Sequence, residues 1–202
     1  MQRKLAAIFA GDVVGYTRLM GSDEAGTFAR LTALRTTIIE PIISDSGGRI
    51  FKLMGDGLFA EFPSVVAAAQ CALAIQERVR AHESDEPDDR RIQLRIGINL
   101  GDVLVDGSDL YGDGVNLAAR IEALADPGGV CISGAAHDAI EGKLEVAYDD
   151  MGSQQVKNVA KPVRVYKLRI DDSAGGAVPH HEPRPALPDK PSIAVLPFDN
   201  MS

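Results

Sequence analysis

Two aspartates stand in like settings, each beside glycine at the edge of an apolar run: Asp12 in Phe9-Ala-Gly-Asp-Val-Val-Gly-Tyr-Thr and Asp56 in Met54-Gly-Asp-Gly. Taken singly, either is as readily a turn former, because a short carboxylate side chain bonds well to the backbone of a turn. Taken together they offer chemistry. If the strands that carry them are sheet neighbours, about 4.8 Å apart, the carboxylates converge and present hard oxygen ligands to divalent cations. Two such cations ~3.5 to 4 Å apart would clamp an in-line phosphoryl displacement, one activating the attacking oxygen and the other neutralising the phosphate chain.

The elements that must position this pair follow from the hydrophobic pattern. Leu5 to Ala10 is continuously apolar and ends at glycine, which predicts a short buried strand. Ser22 or Asp23 caps a helix with Phe28, Leu31, Leu34, Ile38 and Ile42 on one face, stopped by Gly47-Gly48. Arg49 to Met54 and Leu58 to Phe62 read as a hairpin across Gly55-Asp56-Gly57, which puts Asp56 at the tip. Ser64 opens a second helix with Val65, Ala68, Ala72, Ile75 and Val79 inward, ended by the polar stretch Glu83 to Arg90. Ile92 to Leu100 and Val103 to Asp106 read as two strands across Gly101-Asp102, and Gly114 to Leu124 as a short helix. Strand, helix, hairpin, helix, strand is the βαββαβ order of an α+β, ferredoxin-like core, an antiparallel sheet with helices on one face. Val130 to Ser133, Leu144 to Tyr148 and Val163 to Leu168 are expected as additions to it.

With these motifs in place, the chain resembles the class III adenylate and guanylate cyclases over nearly all of residues 5 to 168. The resemblance implies metal binding by Asp12, Asp56 and the Val13 carbonyl, with two Mg²⁺ or Mn²⁺ ions as cofactors. It places Lys52, in Lys-Leu-Met-Gly-Asp, and Asp109, in Asp-Leu-Tyr-Gly-Asp-Gly-Val-Asn, on the residues that read the base. It places Asn116 and Arg120, in Val115-Asn-Leu-Ala-Ala-Arg-Ile-Glu, on the pair that serves the transition state, and Arg95 and Lys157 on triphosphate contacts, with Lys161 an alternative to Lys157. The implied activity is conversion of ATP to 3′,5′-cyclic AMP and pyrophosphate.

Residue chemistry agrees. Adenine offers an acceptor at N1 and a donor at its amino group, so an ammonium at Lys52 and a carboxylate at Asp109 complement it, whereas guanine presents the reverse order. Asn116 and Arg120 are spaced i, i+4 and share one helix face, roughly 5 to 6 Å apart at Cβ. An amide there can hold the ribose while the guanidinium meets charge developing on the α-phosphate, a contribution often worth about 10²-fold or more. Without the motif around them, Lys52 would be a solvent-facing strand lysine, Asp109 a turn former and Arg120 a solvated helix residue. Because the resemblance assigns metals to one protomer and base readers with the Asn/Arg pair to the other, a homodimer with two composite sites is expected. Asn99 stands where family members often carry histidine, and no histidine general base is indicated.

Composition narrows the alternatives. The 202 residues suit one hydrophobic core, and 45% hydrophobic with 25% charged residues is ordinary for a globular protein. A formal charge of -8 argues against nucleic acid as a partner. Cys71 and Cys131 sit in apolar stretches and are expected as reduced core residues. The apolar run after Met1 is too short for a signal peptide core or a membrane span, so a cytoplasmic location is expected. The catalytic domain is expected over 1–170, a Pro/Gly-rich linker over 171–191, and the first strand of a following, truncated domain over 192–202. A non-catalytic nucleotide-binding or dimerisation module and a guanylate cyclase are the rival readings. A diguanylate cyclase is disfavoured because the sequence holds no Gly-Gly-Asp-Glu-Phe segment.

Overall fold

The computed structural model describes residues 2–170 except 158 and 160, within a compact unit that ends at Ile170. The expected linker and following strand lie outside the described residues. Strand β1 (Gln2–Val13) leads to α1 (Tyr16–Ser22), α2 (Glu24–Leu34), a π turn (Arg35–Ile39) and α3 (Glu40–Asp45). The hairpin β2 (Arg49–Met54) and β3 (Gly57–Phe62), helix α4 (Val65–His82) and strand β4 (Leu94–Asp106) complete the βαββαβ core. After it come β5 (Asp109–Tyr111), α5 (Asp113–Glu122), β6 (Val130–Ser133), α6 (Gly134–Ile140), β7 (Tyr148–Gln154) and β8 (Val163–Leu168).

The sheet runs β2-β3-β1-β4-β6-β8-β7, with β5 paired to β4. Its first four strands are antiparallel in ferredoxin-like order, and β4–β6 is a parallel pair. The helices are not confined to one face. Ala7 and Phe9 of β1 join the large core under α2, α3, α4 and α6, while Ala6, Ile8 and Ala10 face a second core of Phe51, Val103, Leu110 and Ala118 under α5 and β5. Cover on both faces is why this strand reads as an unbroken apolar run rather than an alternating one.

Three expectations on the elements are corrected. The strands expected on either side of Gly101-Asp102 are one 13-residue strand, β4, held continuous by pairing with β1 from Val13↔Leu94 to Gln2↔Val105. The expected strand from Leu144 begins at Tyr148, where pairing with β8 starts at Leu168. The first helix runs on through the π turn with its inward face shifted, and Phe28, expected inward, is 61% exposed while Leu34, Ile38, Ile39 and Ile43 fill the core. Pro41 has no N–H to give the Thr37 carbonyl, and the hydroxyls of Thr36 and Thr37 bond back to carbonyls one turn earlier. Both loosen the i→i−4 ladder, and the wider turn shifts the inward face by a residue. Asp23, of the two candidate caps, receives the Gly26 N–H at 2.9 Å, and Ser64 caps α4. Both cysteines are free and buried, and burial pushes each thiol up to about 11.

Candidate functional site

The acidic pair is built by a strand pairing and a tight turn. Asp56 sits in the two-residue connection between β2 and β3, closed by the Met54↔Gly57 pair, where Gly55 takes φ 61° that side-chain-bearing residues avoid. Because β3 pairs with β1 and Gly11 lies opposite Leu58, the turn delivers Asp56 beside Asp12. The two carboxyl groups come close enough to share a hydrogen bond when one of them holds a proton. Burial first, then the Asp56 charge and that hydrogen bond, push the Asp12 carboxyl up to about 6, against the pull of the Val13 N–H and Arg95. Position 57 is tight as well: a Cβ there would stand 3.2 Å from Asp12 Oδ1 and 3.4 Å from the Gly11 carbonyl, so a side chain would push on the Asp12 carboxylate.

Arg95 lies directly opposite Asp12 across the β1–β4 pair, and its buried Nε makes no hydrogen bond. A third acid, Glu122, lies within electrostatic reach of the pair from the C-terminal end of α5. Burial first, then the Asp12 charge, push its carboxyl up to about 7, with Arg95 opposing and Asp56 adding. Helix α5 comes this close because residue 97 is glycine: a Cβ there would stand 2.2 Å from Glu122 N and 2.5 Å from the Ala118 carbonyl. At the other end of the helix, buried Asn99 donates from Nδ2 to the Gly114 carbonyl at 3.0 Å. The amide at this position therefore anchors a helix.

Lys52 and Asp109 form a separate group beyond the N-terminal end of α5, some 14 Å along the helix axis from Glu122 at ~1.5 Å per residue. Strand β5 carries Asp109, and β2 carries Lys52; the two strands are tied by Arg49, which donates to the Ser108 carbonyl at 2.6 Å and to Glu61. Phe51 and Leu110 pack in the core beneath. Tyr111 completes the group, with its hydroxyl 3.0 Å from Asp109 Oδ2 and its ring centroid 5.7 Å from Lys52 Nζ.

Asn116 and Arg120 lie on the side of α5 opposite buried Gly114, Ala118 and Ile121, so they face away from their own sheet. Lys157 and Lys161 are both exposed. Val13 is buried and follows Asp12 at the end of β1. His82 contacts Glu83, and His137 stacks on Tyr166, so neither imidazole serves these groups.

Glu122 and Tyr111 are the two members that reading the sequence did not single out. A signal existed for each: Tyr111 is two residues from Asp109, hence on the same face of a strand, and Glu122 follows Arg120 at the end of the amphipathic helix.

The donor set fits hard divalent cations. Two carboxylates pressed together in a half-buried turn repel unless a proton or a cation lies between them. Among the described residues no three acidic, histidine or cysteine side chains cluster as a complete metal cage. That suits Mg²⁺ or Mn²⁺, which take one or two carboxylates and fill the remaining positions with water and substrate phosphates.

The model of the adenylate and guanylate cyclase catalytic domain matches residues 2–169. "Putative adenylate cyclase 3" of Rhizobium meliloti (strain 1021) is 50% identical over the whole chain, which covers 35% of that relative. An adenylate cyclase of Streptomyces coelicolor is 33% identical over 65% of this chain and 33% of its own length. The chain thus spans about a third of these curated relatives. Among solved structures, an adenylate/guanylate cyclase/hydrolase from Silicibacter pomeroyi superposes with a TM-score of 0.80 at 42% identity, over 84% of this chain and 99% of that one. The adenylyl cyclase CyaB from P. aeruginosa gives 0.74 at 26% identity, over 87% and 98%. No helix among the described residues is long and apolar enough to cross a membrane.

Proposed function

Since the chain belongs to the adenylate and guanylate cyclase catalytic domain family, we propose that it converts ATP to 3′,5′-cyclic AMP and pyrophosphate at two composite sites of a homodimer. In this reading one protomer contributes Asp12, Asp56 and the Val13 carbonyl as ligands for Mg²⁺ or Mn²⁺. When bound, the ions would lower the proton affinity of the ribose 3′-hydroxyl and offset charge on the phosphates. Arg95, unpartnered at Nε and facing the acidic pair, holds the phosphates from the same protomer. The second protomer supplies the rest. Lys52 donates to adenine N1 and Asp109 accepts from the amino group. Asn116 orients the ribose, and Arg120 meets the charge that builds on the α-phosphate as the 3′-oxygen bonds to phosphorus and the bond to the β-phosphate breaks. Lys157 or Lys161 neutralises the departing pyrophosphate.

The observation that carries this reading is the convergence of Asp12 and Asp56, which the β1–β3 pairing and the β2–β3 turn bring side by side with like charges. Asn116 and Arg120 support the dimer because they face away from their own sheet. The 50% identity to the relative named "Putative adenylate cyclase 3" supports ATP over GTP.

Complementation tests the scheme. Asp12→Asn and Arg120→Ala should each be inactive alone with ATP and Mn²⁺. Mixed, half the dimers pair unlike chains and one of their two sites is intact, so activity should return to about a quarter of wild type. Full activity in either single variant would refute the assignment, and a mixture that stays inactive would refute the composite site. Running GTP beside ATP decides the base. Tight ATP binding with no turnover at any protein concentration would mark a regulatory module instead.

A further inference from the structure

The two base-reading side chains come from strands that are not hydrogen-bonded neighbours: β2 pairs with β3, and β5 with β4. Each carries an opposite charge, and the flexible Lys52 stem would favour a direct ion pair with Asp109. Such a pair would have to break before a base could enter. It does not form. Lys52 instead lies over the Tyr111 ring at 5.7 Å, and Asp109 takes the Tyr111 hydroxyl at Oδ2. A ring face holds an ammonium through its quadrupole without consuming N–H directions, so all three donors stay available. The hydroxyl occupies one carboxylate oxygen and leaves Oδ1 to accept from a ligand. Tyr111 is 43% exposed, so its fixed place owes more to these two contacts than to burial.

Resting on the base-reading roles of Lys52 and Asp109, we propose that Tyr111 is a positioning residue that sets base specificity: its ring holds the lysine and its hydroxyl aims the aspartate, presenting donor and acceptor in adenine's order before nucleotide arrives. The hydroxyl keeps its proton for this task, since the hydrogen bond to Asp109 and that residue's charge, with Asp106 adding, raise it above the ordinary phenol value.

The test compares Tyr111→Phe, Tyr111→Leu, Lys52→Ala and Asp109→Ala with wild type, measuring kcat and KM for ATP and GTP with Mn²⁺. Equilibrium binding of the α-thio analogues of both nucleotides repeats the comparison independently of turnover. Tyr111→Phe keeps the ring and loses one hydrogen bond, so KM for ATP should rise about 3- to 10-fold, with kcat nearly unchanged. Tyr111→Leu should lower the ATP:GTP preference about as far as Lys52→Ala does, in both turnover and binding. If Lys52→Ala or Asp109→Ala shifts the preference and neither tyrosine variant does, Tyr111 is an ordinary surface aromatic and the proposal falls. If no variant shifts it, the base-reading assignment has failed first and takes the proposal with it.

Discussion

The two ends of α5 solve opposite electrostatic problems. At its C-terminal end, Asp12 and Asp56 press together and Glu122 feels their charge, with Arg95 opposing, and burial raises the proton affinity of Asp12 and Glu122. At its N-terminal end, Lys52 and Asp109 balance each other and rest on one tyrosine. The first group is held by a backbone contact that only glycine allows, at position 97. The second is held by side chains at an exposed edge. A frustrated, rigid cluster gains from a cation, and a satisfied, adjustable one is suited to discriminate between ligands.

Asp12→Asn should separate function from stability most sharply. It removes a like-charge contact and a proposed metal ligand at once, so metal-free stability should hold or rise while cyclic nucleotide formation drops about 10²-fold or more. Equal losses in thermal unfolding and activity would make the acidic pair merely structural. Next in size, Gly97→Ala forces a methyl into the α5 backbone and should cost about 1–3 kcal/mol in urea unfolding. Gly21→Ala, with nothing within 4 Å of the added carbon, should be neutral or slightly stabilising.

The acidic cluster should also make metal-free stability depend on pH. Asp12 rises from 3.8 to about 6 and Glu122 from 4.5 to about 7. Both bind protons more tightly in the folded state, so their contribution is fully present below about pH 4 and is lost as pH climbs to about 7. Solvent screening of these half-exposed groups leaves each loss on the order of 1 kcal/mol. Subtracting the pH profile of the Asp12→Asn, Glu122→Gln double variant from wild type isolates it, and saturating Mg²⁺ should offset the loss near neutral pH. A flat difference profile would place both acids in water. A modest effect belongs to the exposed end: Arg49→Ala should cost under about 1 kcal/mol of stability, yet raise KM for ATP a few-fold by freeing β5 from β2.

Much of this was legible in the residue order. Strand-like runs about turn glycines located β2 and β3, the Ser64 cap with its apolar helical face located α4, and the paired glycine-aspartate motifs marked positions 12 and 56, because a local pattern is enough to specify a strand, a turn or a cap. Distance along the chain hid the rest. Gly101-Asp102 looks like a turn on its own, but twelve pairings with β1 make it strand interior. The π turn arises from Pro41 and two threonines acting against an otherwise regular apolar stripe.

By itself the sequence determined which residue types were available for chemistry and the ferredoxin-like order of the elements that carry them, since both depend on neighbours a few positions apart. Only the tertiary structure decided that Glu122 comes within reach of the acids' charge and that Tyr111 stands between Lys52 and Asp109. Those contacts depend on how closely α5 approaches β4 and how β5 meets β2, and both are set by packing between segments remote in the chain.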